Sequence, residues 1–540
     1  MKHVFQVSLG PVQGFIAASR KTRDLKAGSD LLSDMAEAAV RAISSPATKL
    51  IFPADESHKA ANIILAIVEQ DPKALADKVE EGVRRFLVDQ WQKLVDTAKC
   101  FEEKQVAIGR DQVENFPEVF AAWAPLNGGY QAARKACGKA MAARKALRDF
   151  AQPKSSPGLP KSPLAPWLDT VLPIGEGLRV RQGLGPRLGH LKERETLDAM
   201  SLIKRLRDPD GAEGFPSTRT IAASNFIAQL DCDFVKEIKQ GLRESGADCD
   251  IGDLVFDDID RQAVAGLQSR LQKEAKSKKL KKPRPYFAVL HADGDSMGRF
   301  LDAVGDDPER HRNFSRILYE EFSIKVAPIV KEHSGRCVFA GGDDVLALLP
   351  LDAAIECATE IHKLFESAMN LAKVECGAQE APTLSVGLAL VHCLENLQET
   401  VAYSARLEHL AKNVDGKNAL AIGARARSGS DVNLVIPWAT DQPQKLQEII
   451  DAIGDEDRVP RGFPYEVRQL LREMEMLGSG EKSLSAAQQV DWVKGEIARV
   501  ADKKEPKVDP ALFDWIQSTD DAKAFRDMLL VAHFLTREAE

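Results

Sequence analysis

Two short acidic motifs carry residue types that could perform metal-assisted chemistry. One is DGD at residues 293–295, directly after an apolar run, and the other is GGDD at residues 341–344. Carboxylate oxygens are the hard ligands that Mg²⁺ and Mn²⁺ prefer, and such ions commonly bridge carboxylates to the phosphates of a nucleotide. The motifs therefore predict a metal and nucleotide site in which Asp293, Asp343 and Asp344 are metal ligands. The catalytic residues predicted in this site are Asp293, Asp295, Asp343 and Asp344.

Glycine and lysine residues beside these carboxylates suit phosphate binding. Gly341 and Gly342 favour a tight turn with positive φ, and their backbone can approach a polyphosphate closely. In the segment AKNVDGKN, residues 411–418, two lysines could neutralise a triphosphate while Gly416 caps the preceding helix. Each feature alone is also typical of a surface turn or a solvated helix end. Together they predict nucleotide binding by Gly294, Gly341, Gly342, Lys412 and Lys417.

The elements around the motifs follow a β-α-β-β-α order. We predict a strand at 286–292, a helix at 308–331, strands at 335–340 and 345–350, and a helix at 351–372, from periods of two and of 3.6 residues. In such a unit the first strand lies against the hairpin, which would bring both acidic motifs to one edge. Further elements are predicted at 383–391, 394–411 and 418–423.

The N-terminal segment repeats this order. Strands are predicted at 3–9, 49–53 and 61–68, and helices at 12–43, 72–97 and 132–150. The link between its second and third strands is ADESHKA rather than GGDD. The N-terminal unit is therefore predicted to lack the acidic turn.

Composition limits the classes of function. The 540 residues carry 81 acidic and 73 basic side chains and a net charge of −8, so overall electrostatic attraction to nucleic acid is excluded as the main driving force. The absence of an export signal and of long apolar runs predicts a cytoplasmic protein with no membrane partner. The eight cysteines form no CxxC pair and are interpreted as buried thiols. The basic cluster at 273–285 fits a solvated linker, or else a contact with phosphate or a partner.

Five blocks of sequence, in order, resemble the large palm-domain subunit of type III CRISPR effector complexes, the Cas-ten family, in its Cmr-type branch. They are GPVQGFIAASRKTRDLKAGSDLLSDM at 10–35, KRLRDPDGAEGFPSTRTIA at 204–222, HADGDSMGRFL at 291–301, FAGGDDVLALLP at 339–350 and AKNVDGKNAL at 411–420. The blocks span roughly the first 430 residues, and GPVQGF together with GGDD is specific to that family.

The resemblance implies an α+β fold with two ferredoxin-like palm domains and with helical domains between and after them. The predicted units are a degenerate palm at 1–150, a loop-rich then helical linking domain at 151–283, a catalytic GGDD palm at 284–428 and a helical bundle at 429–540. Two departures alter the expected chemistry. The chain has no His-Asp dipeptide, so the DNase activity of an HD domain is not expected, and residues 171–194 hold no cysteine, so structural zinc is not expected.

By this resemblance the chain is an RNA-guided subunit that converts ATP into a nucleotide second messenger when the complex holds guide RNA paired with target RNA. Its partners would be other subunits of the complex, the two RNAs and ATP. The product could be cyclic oligoadenylate or a conjugate of ATP with S-adenosylmethionine (SAM-AMP). A catalytically silent scaffold subunit and a stand-alone GGDEF-like cyclase are the alternatives. The block at 10–23 could serve an interface or an acceptor pocket.

Overall fold

The computed structural model describes most of the chain. The described residues are 1–59, 61–147, 154–172, 191, 195–207, 214–245, 249–256, 264–427, 431–455, 457–477 and 485–537. Across these ranges, no helix combines the length and the apolar character needed to cross a membrane. The residues on which the expectation about zinc depends, 171–194, lie almost entirely outside this description, as do residues 208–213 of the second block.

The first sheet is a four-stranded antiparallel unit. Its strands are β1 (His3–Gly10), β2 (Thr48–Phe52), β3 (Ile63–Val68) and β4 (Glu118–Pro125), in the order β2-β3-β1-β4. The helices of this region are α1 (Gln13–Ala17), α2 (Thr22–Ile43), α3 (Pro72–Ala98), α4 (Glu103–Glu114) and α5 (Tyr130–Ala146). One face of the sheet packs on α2 and α3, and the other packs on α5. This is the predicted ferredoxin-like order, completed by β4.

The second sheet has the same core with two strands added. Its strands are β5 (Tyr286–Asp295), β6 (Arg336–Gly341), β7 (Asp344–Pro350), β8 (Thr383–His392), β9 (Ala419–Ala424) and β10 (Val432–Pro437), in the order β10-β9-β8-β5-β7-β6. Only the β8–β9 pairing is parallel. Because β5 lies between β7 and β8, its end is fixed on both sides.

Most of the remaining regular structure of the described chain is helical. The linking region holds α6 (Ala199–Leu206), α7 (Thr218–Ala222), α8 (Ser224–Ala228), α9 (Cys232–Ser245), α10 (Ile251–Phe256) and α11 (Ala265–Ser277). The second palm holds α12 (Met297–Val304), α13 (Pro308–Ile317), a π-helical turn (Leu318–Ser323), α14 (Ile324–Glu332), α15 (Ala354–Cys376) and α16 (Leu397–Lys412). The C-terminal region holds α17 (Gln442–Gly454), α18 (Phe463–Leu477), α19 (Ala486–Asp502) and α20 (Thr519–Thr536).

Two buried cations on α6 organise the N-terminal block. The Lys204 ammonium donates to the carbonyls of Phe15 and Ala18 at 2.7 and 3.1 Å and to the Ser19 hydroxyl at 2.9 Å. Arg205 binds both carboxylate oxygens of Asp24 at 2.8–3.1 Å, and both side chains are about 1–2% exposed. The blocks at 10–35 and 204–222 are therefore parts of one packed unit.

The two palms also touch directly. The Tyr130 hydroxyl lies 2.7 Å from Nδ1 of the buried His311, and the Arg312 guanidinium donates to the carbonyl of Ala54 at 3.0 Å. The aromatic ring of Phe52 lies 3.8 Å from the position that a Cβ would take at Gly342. The hairpin of the second palm therefore faces the first palm.

Several predicted boundaries need correction. The helix predicted at 12–43 is interrupted at residues 18–21, between α1 and α2, and β4 was not predicted. The boundary predicted at 428 separates β10 from its sheet, whereas β10 pairs with β9 and the palm sheet extends to Pro437. Among the cysteines, Cys232 is exposed at the start of α9, so it is not a buried thiol.

Candidate active site at one edge of the second palm

Strand pairing brings the two acidic motifs together. The β5–β7 ladder runs to the pair Ala292 and Val345, so the next residues, Asp293 and Asp344, continue the two strands side by side. The Asp343 side chain lies against Gly294, because a Cβ at that glycine would stand 2.7 Å from Asp343 Oδ2. The convergence predicted from the strand order is therefore what the fold produces.

Asp295 is the most enclosed of the four aspartates. It is 1% exposed, and its Oδ2 accepts hydrogen bonds from the Thr383 and Ser385 hydroxyls at 3.0 and 2.8 Å. The backbone N–H of Asn418 donates to the same oxygen at 3.2 Å. Its Oδ1 is buried and has no hydrogen-bond partner. Asp295 is thus held by one oxygen while the other remains available to a ligand.

A lysine spans two carboxylates on the same side of the sheet. The Lys412 ammonium, in the last turn of α16, forms an ion pair with Asp293 and lies 2.8 Å from Glu408 Oε1. Burial lowers the pKa of Lys412 to about 8, and the nearby charge of Lys417 adds to this effect. Lys412 therefore contacts one of the predicted carboxylates, that of Asp293, directly in the free chain.

Burial, together with the charges of neighbouring carboxylates, raises the pKa of three acidic groups in the site. Burial, with the charge of Asp295, raises the pKa of Asp343 to about 6. Burial, with the charges of Asp343 and Glu408, raises the pKa of Asp344 to about 7. Burial and Asp295 likewise raise the pKa of Glu408 to about 7. These carboxylates share a confined space, in which the negative forms are unfavourable without added positive charge.

The GGDD hairpin differs in detail from the prediction. Only Gly342 has positive φ, at 64°, while Gly341 pairs with Asp344 at the end of β6 and a Cβ there would meet nothing within 4 Å. Positive φ was therefore predicted for one glycine too many, because the hairpin needs the left-handed conformation only once. The Ser323 hydroxyl, at the end of the π-helical turn, donates to the carbonyl of Gly342 at 2.9 Å and fixes the tip.

The loop after α16 carries the second predicted lysine. Gly416 has φ of 78°, but α16 already ends at Lys412 with Asn413 as its C-cap, so Gly416 does not cap the helix. Lys417 has φ of 57°; its charge contributes to the lowered pKa of Lys412 and offsets part of the rise in the pKa of Glu408. Lys417 therefore lies close enough to act electrostatically on the site.

Four side chains of the site were not predicted, namely Glu408, Ser323, Thr383 and Ser385. Glu408 is 4% exposed on α16, one turn before Lys412. A buried glutamate on an amphipathic helix gives a weak signal, and its i,i+4 spacing from Lys412 is the only hint in the sequence. The three hydroxyl residues carry no signal of their own, because their role depends on tertiary proximity.

The donor set fits a divalent cation in chemistry, although it is not arranged as a finished coordination sphere. Hard carboxylate oxygens dominate it, one buried oxygen of Asp295 has no hydrogen-bond partner, and the raised pKa values indicate excess negative charge. Within the described ranges, no group of three or more His, Cys, Asp or Glu side chains is positioned to hold a metal ion. The ion pair from Lys412 accounts for part of this, because it contacts Asp293.

Two family models match regions of this chain. Residues 286–421 match the family described as Cas10/Cmr2, second palm domain, and residues 4–152 match CRISPR-associated protein Cmr2, N-terminal. A curated relative, the Cmr2 subunit of the CRISPR Cmr system of Pyrococcus furiosus, is 26% identical over 556 aligned positions, which cover 81% of this chain. The chain spans 63% of the length of that relative.

Solved structures share the fold at low sequence identity. A cryo-EM structure of type III-B Cmr-beta bound to cognate target RNA contains a chain that is 13% identical, with a TM-score of 0.65, and 99% of this chain and 83% of that chain are covered. A crystal structure of a Csm1-Csm4 cassette in complex with cA4 gives 13% identity and a TM-score of 0.54, covering 99% of this chain and 70% of that chain. The two family matches, on the N-terminal region and on the second palm, show that the chain belongs to the Cas10/Cmr2 family.

Proposed function

We propose that this chain is the large subunit of a cytoplasmic type III CRISPR effector complex and that its GGDD palm is a nucleotidyltransferase. Target RNA paired with the guide RNA would activate the palm to convert ATP into an adenylate-based second messenger. The observation that carries the proposal is the convergence of Asp293, Asp295, Asp343 and Asp344 at one sheet edge beside Lys412.

Two of the structural relatives support the partners and the product class. One was determined with target RNA bound, and another, a Csm1-Csm4 cassette, with cA4. Because both share the fold of this chain, a comparable complex and a comparable nucleotide chemistry are reasonable for it. The choice between cyclic oligoadenylate and a conjugate such as SAM-AMP depends on the acceptor bound beside ATP.

The reaction would join a 3′-hydroxyl oxygen to the α-phosphorus of ATP. The new P–O bond forms as the bond to the pyrophosphate oxygen breaks, and the hydroxyl proton leaves to a base or solvent. Mg²⁺ or Mn²⁺, when bound, would supply charge neutralisation at the phosphates and lower the pKa of the hydroxyl. Asp293, Asp343 and Asp344 would hold the ion.

The remaining polar residues would orient the carboxylates and neutralise the charge of the leaving group. Asp295 keeps a fixed orientation through Thr383 and Ser385, which prevents it from rotating away from the reacting groups. Lys412 and Lys417 would oppose the negative charge that develops on the leaving pyrophosphate. The close contact of Asp343 with Gly294 keeps the hairpin against the strand end.

A catalytically silent scaffold subunit is the second candidate. It is favoured by the ion pair of Lys412 with Asp293 and by the lack of a preassembled ligand cluster in the part of the chain that is described. In that case the palm would bind nucleotide or brace the complex without turnover. Incubation of the wild-type complex with radiolabelled ATP and target RNA separates the two candidates, since only the enzyme gives a new nucleotide.

The decisive variant is Asp343→Ala combined with Asp344→Ala. We expect product formation to fall by orders of magnitude while the complex still assembles, because the hairpin tip is partly exposed and both residues lie outside the apolar core. Asp415→Ala is the matched control, since it removes an exposed carboxylate from the neighbouring loop. Normal synthesis by the double variant would refute the proposed mechanism.

A further inference from the structure

The segment that follows α16 has an unusual backbone. Gly416, Lys417 and Asn418 are three consecutive residues with positive φ, at 78°, 57° and 51°. Residues other than glycine rarely adopt this conformation, and it persists where surrounding contacts over-determine it. The last of the three donates its N–H to Asp295, so the unusual backbone lies directly beside a predicted catalytic residue.

The His362 side chain and the Trp438 backbone hold Asn418 in this conformation, and the ring of Trp438 supports His362. His362, buried on α15, donates from Nε2 to the Asn418 side-chain oxygen at 2.8 Å. The ring of His362 stacks on the ring of Trp438, with centroids 4.4 Å apart and planes inclined by 22°. The backbone N–H of Trp438 donates to the carbonyl of Asn418 at 2.9 Å. Asn418 is therefore fixed through its side chain, its carbonyl and its N–H at once.

Trp438 also belongs to the C-terminal part of the fold. It directly follows β10, whose residues Leu434 and Ile436 share one apolar core with Leu446 of α17 and Met528 of α20. Trp438 packs against the same core. A continuous path of contacts thus runs from the C-terminal helices through Trp438 and Asn418 to the carboxylate of Asp295.

We infer that His362, Asn418 and Trp438 are positioning residues that hold the Asp295 carboxylate and thereby couple the C-terminal helical region to the active site. None of the three needs to touch substrate. Their action is to keep the Asn418 N–H aimed at Asp295 Oδ2, so that Oδ1 keeps its orientation. The inference rests on the proposed function for its catalytic consequence, but the positioning itself is a property of the free chain.

At each position, a disruptive and a conservative substitution are compared. The comparison separates the effect of losing one contact from a general loss of packing. His362→Leu removes the donor to Asn418, whereas His362→Gln keeps an N–H near the same place. Trp438→Leu removes the stacked ring, whereas Trp438→Phe keeps an aromatic surface. Trp515→Leu is the matched control, because Trp515 is also a half-buried C-terminal tryptophan packed on the same core.

Two readouts are taken on the full chain and its complex. The first is amide hydrogen exchange of residues 414–420 in the free chain, followed by mass spectrometry. We expect exchange to be roughly 10-fold faster in His362→Leu and Trp438→Leu, and close to wild type in His362→Gln, Trp438→Phe and the control. The second is turnover of ATP, for which we expect kcat to fall roughly 10–100-fold in the two leucine variants, as is usual when an outer-shell partner is lost. The KM for ATP should change by a smaller factor, because Lys412 and Lys417 stay in place.

The outcomes distinguish this inference from the proposed function. Unchanged exchange in His362→Leu, or an equal increase in Trp515→Leu, would overturn the inference whatever the activity. A wild-type complex that makes no nucleotide product would overturn the proposed function, and exchange would then decide the positioning role alone. Faster exchange in the leucine variants with restoration in His362→Gln supports the inference in either case.

Discussion

Substitution of Gly294 by alanine tests whether nucleotide synthesis requires the close approach of the DGD and GGDD motifs. A Cβ at this position would stand 2.7 Å from Oδ2 and 2.8 Å from Cβ of Asp343, and 3.1 Å from Cγ of Met297. Ordinary van der Waals contact begins near 3.4 Å, so Asp343 must withdraw by about 0.6–0.7 Å. Since its Cβ must move as well as its carboxylate, a side-chain rotation alone does not relieve the clash, and the hairpin has to shift.

The size of this shift allows the loss of activity and the loss of stability to be estimated separately. Misplacement of a reacting group by about 1 Å reduces rates by about 100-fold, so Gly294→Ala should reduce nucleotide synthesis by ~10–100-fold. Overpacking should lower the free energy of unfolding by only about 1–3 kcal/mol, which leaves the palm folded. Loss of activity should therefore greatly exceed loss of folded protein.

Gly298→Ala is the matched control within the same block. Gly298 lies in α12, and a Cβ there would meet nothing within 4 Å, so the substitution should be neutral or stabilise the helix by about 0.5–1 kcal/mol. Product formation from radiolabelled ATP is compared among the wild-type, Gly294→Ala and Gly298→Ala complexes, with urea unfolding in parallel. If Gly294→Ala retained the rate of Gly298→Ala, the argument from close approach would be wrong.

Three further predictions concern groups buried elsewhere. Arg205→Met leaves the buried Asp24 without its partner and should lower the free energy of unfolding by about 3–5 kcal/mol, whereas an unchanged urea midpoint would contradict this. Burial lowers the pKa of Lys204 from 10.5 to about 8, so the unfolded state binds more protons between these pH values. The stability of wild type relative to Lys204→Met should therefore rise by on the order of 3 kcal/mol from pH 8 to 10.5, and a pH-independent difference would count against the cause given. Tyr130→Phe removes the hydroxyl that pairs with His311 between the palms and should lower the free energy of unfolding by about 1–3 kcal/mol in urea titrations, with no loss indicating that the contact is dispensable.

The strands of the second palm were predictable because the sequence patterns that mark them lie within each strand. Short apolar runs located β5, β6 and β7 within three residues of their observed ends, and their order alone placed both acidic motifs at one edge. By contrast, the β4 sequence EVFAAWAP is rich in alanine and pairs with a strand more than 100 residues away. The strand β10 was assigned to the wrong domain for a different reason, because only its pairing with β9 shows which domain it joins.

For the candidate site, the sequence predicted that the two acidic motifs lie together, but it did not reveal the residues that surround them. The four aspartates stand out because acidic residues beside glycines at strand ends are chemically distinctive. Glu408 and Ser385 lie within an ordinary amphipathic helix and an apolar strand, so their sequence context is that of core packing. Ser385 comes close to Asp295 through the pairing of β8 with β5, and Glu408 does so through the packing of α16 on the sheet. Single-sequence patterns specify neither arrangement.

The charges at this edge explain how so acidic a cluster exists in a folded chain. Lys412 is shared between Asp293 and Glu408, while burial raises the pKa of Asp343 to about 6 and of Asp344 to about 7, so protons supply part of the missing positive charge near neutral pH. Under the proposed function, a cation that arrives with ATP would replace those protons and release Lys412 from Asp293. The same ammonium then becomes available to the triphosphate. Lysine and cation would in this way be coupled under the proposed function, because release of the lysine from the carboxylates would leave their charge uncompensated unless the cation took its place.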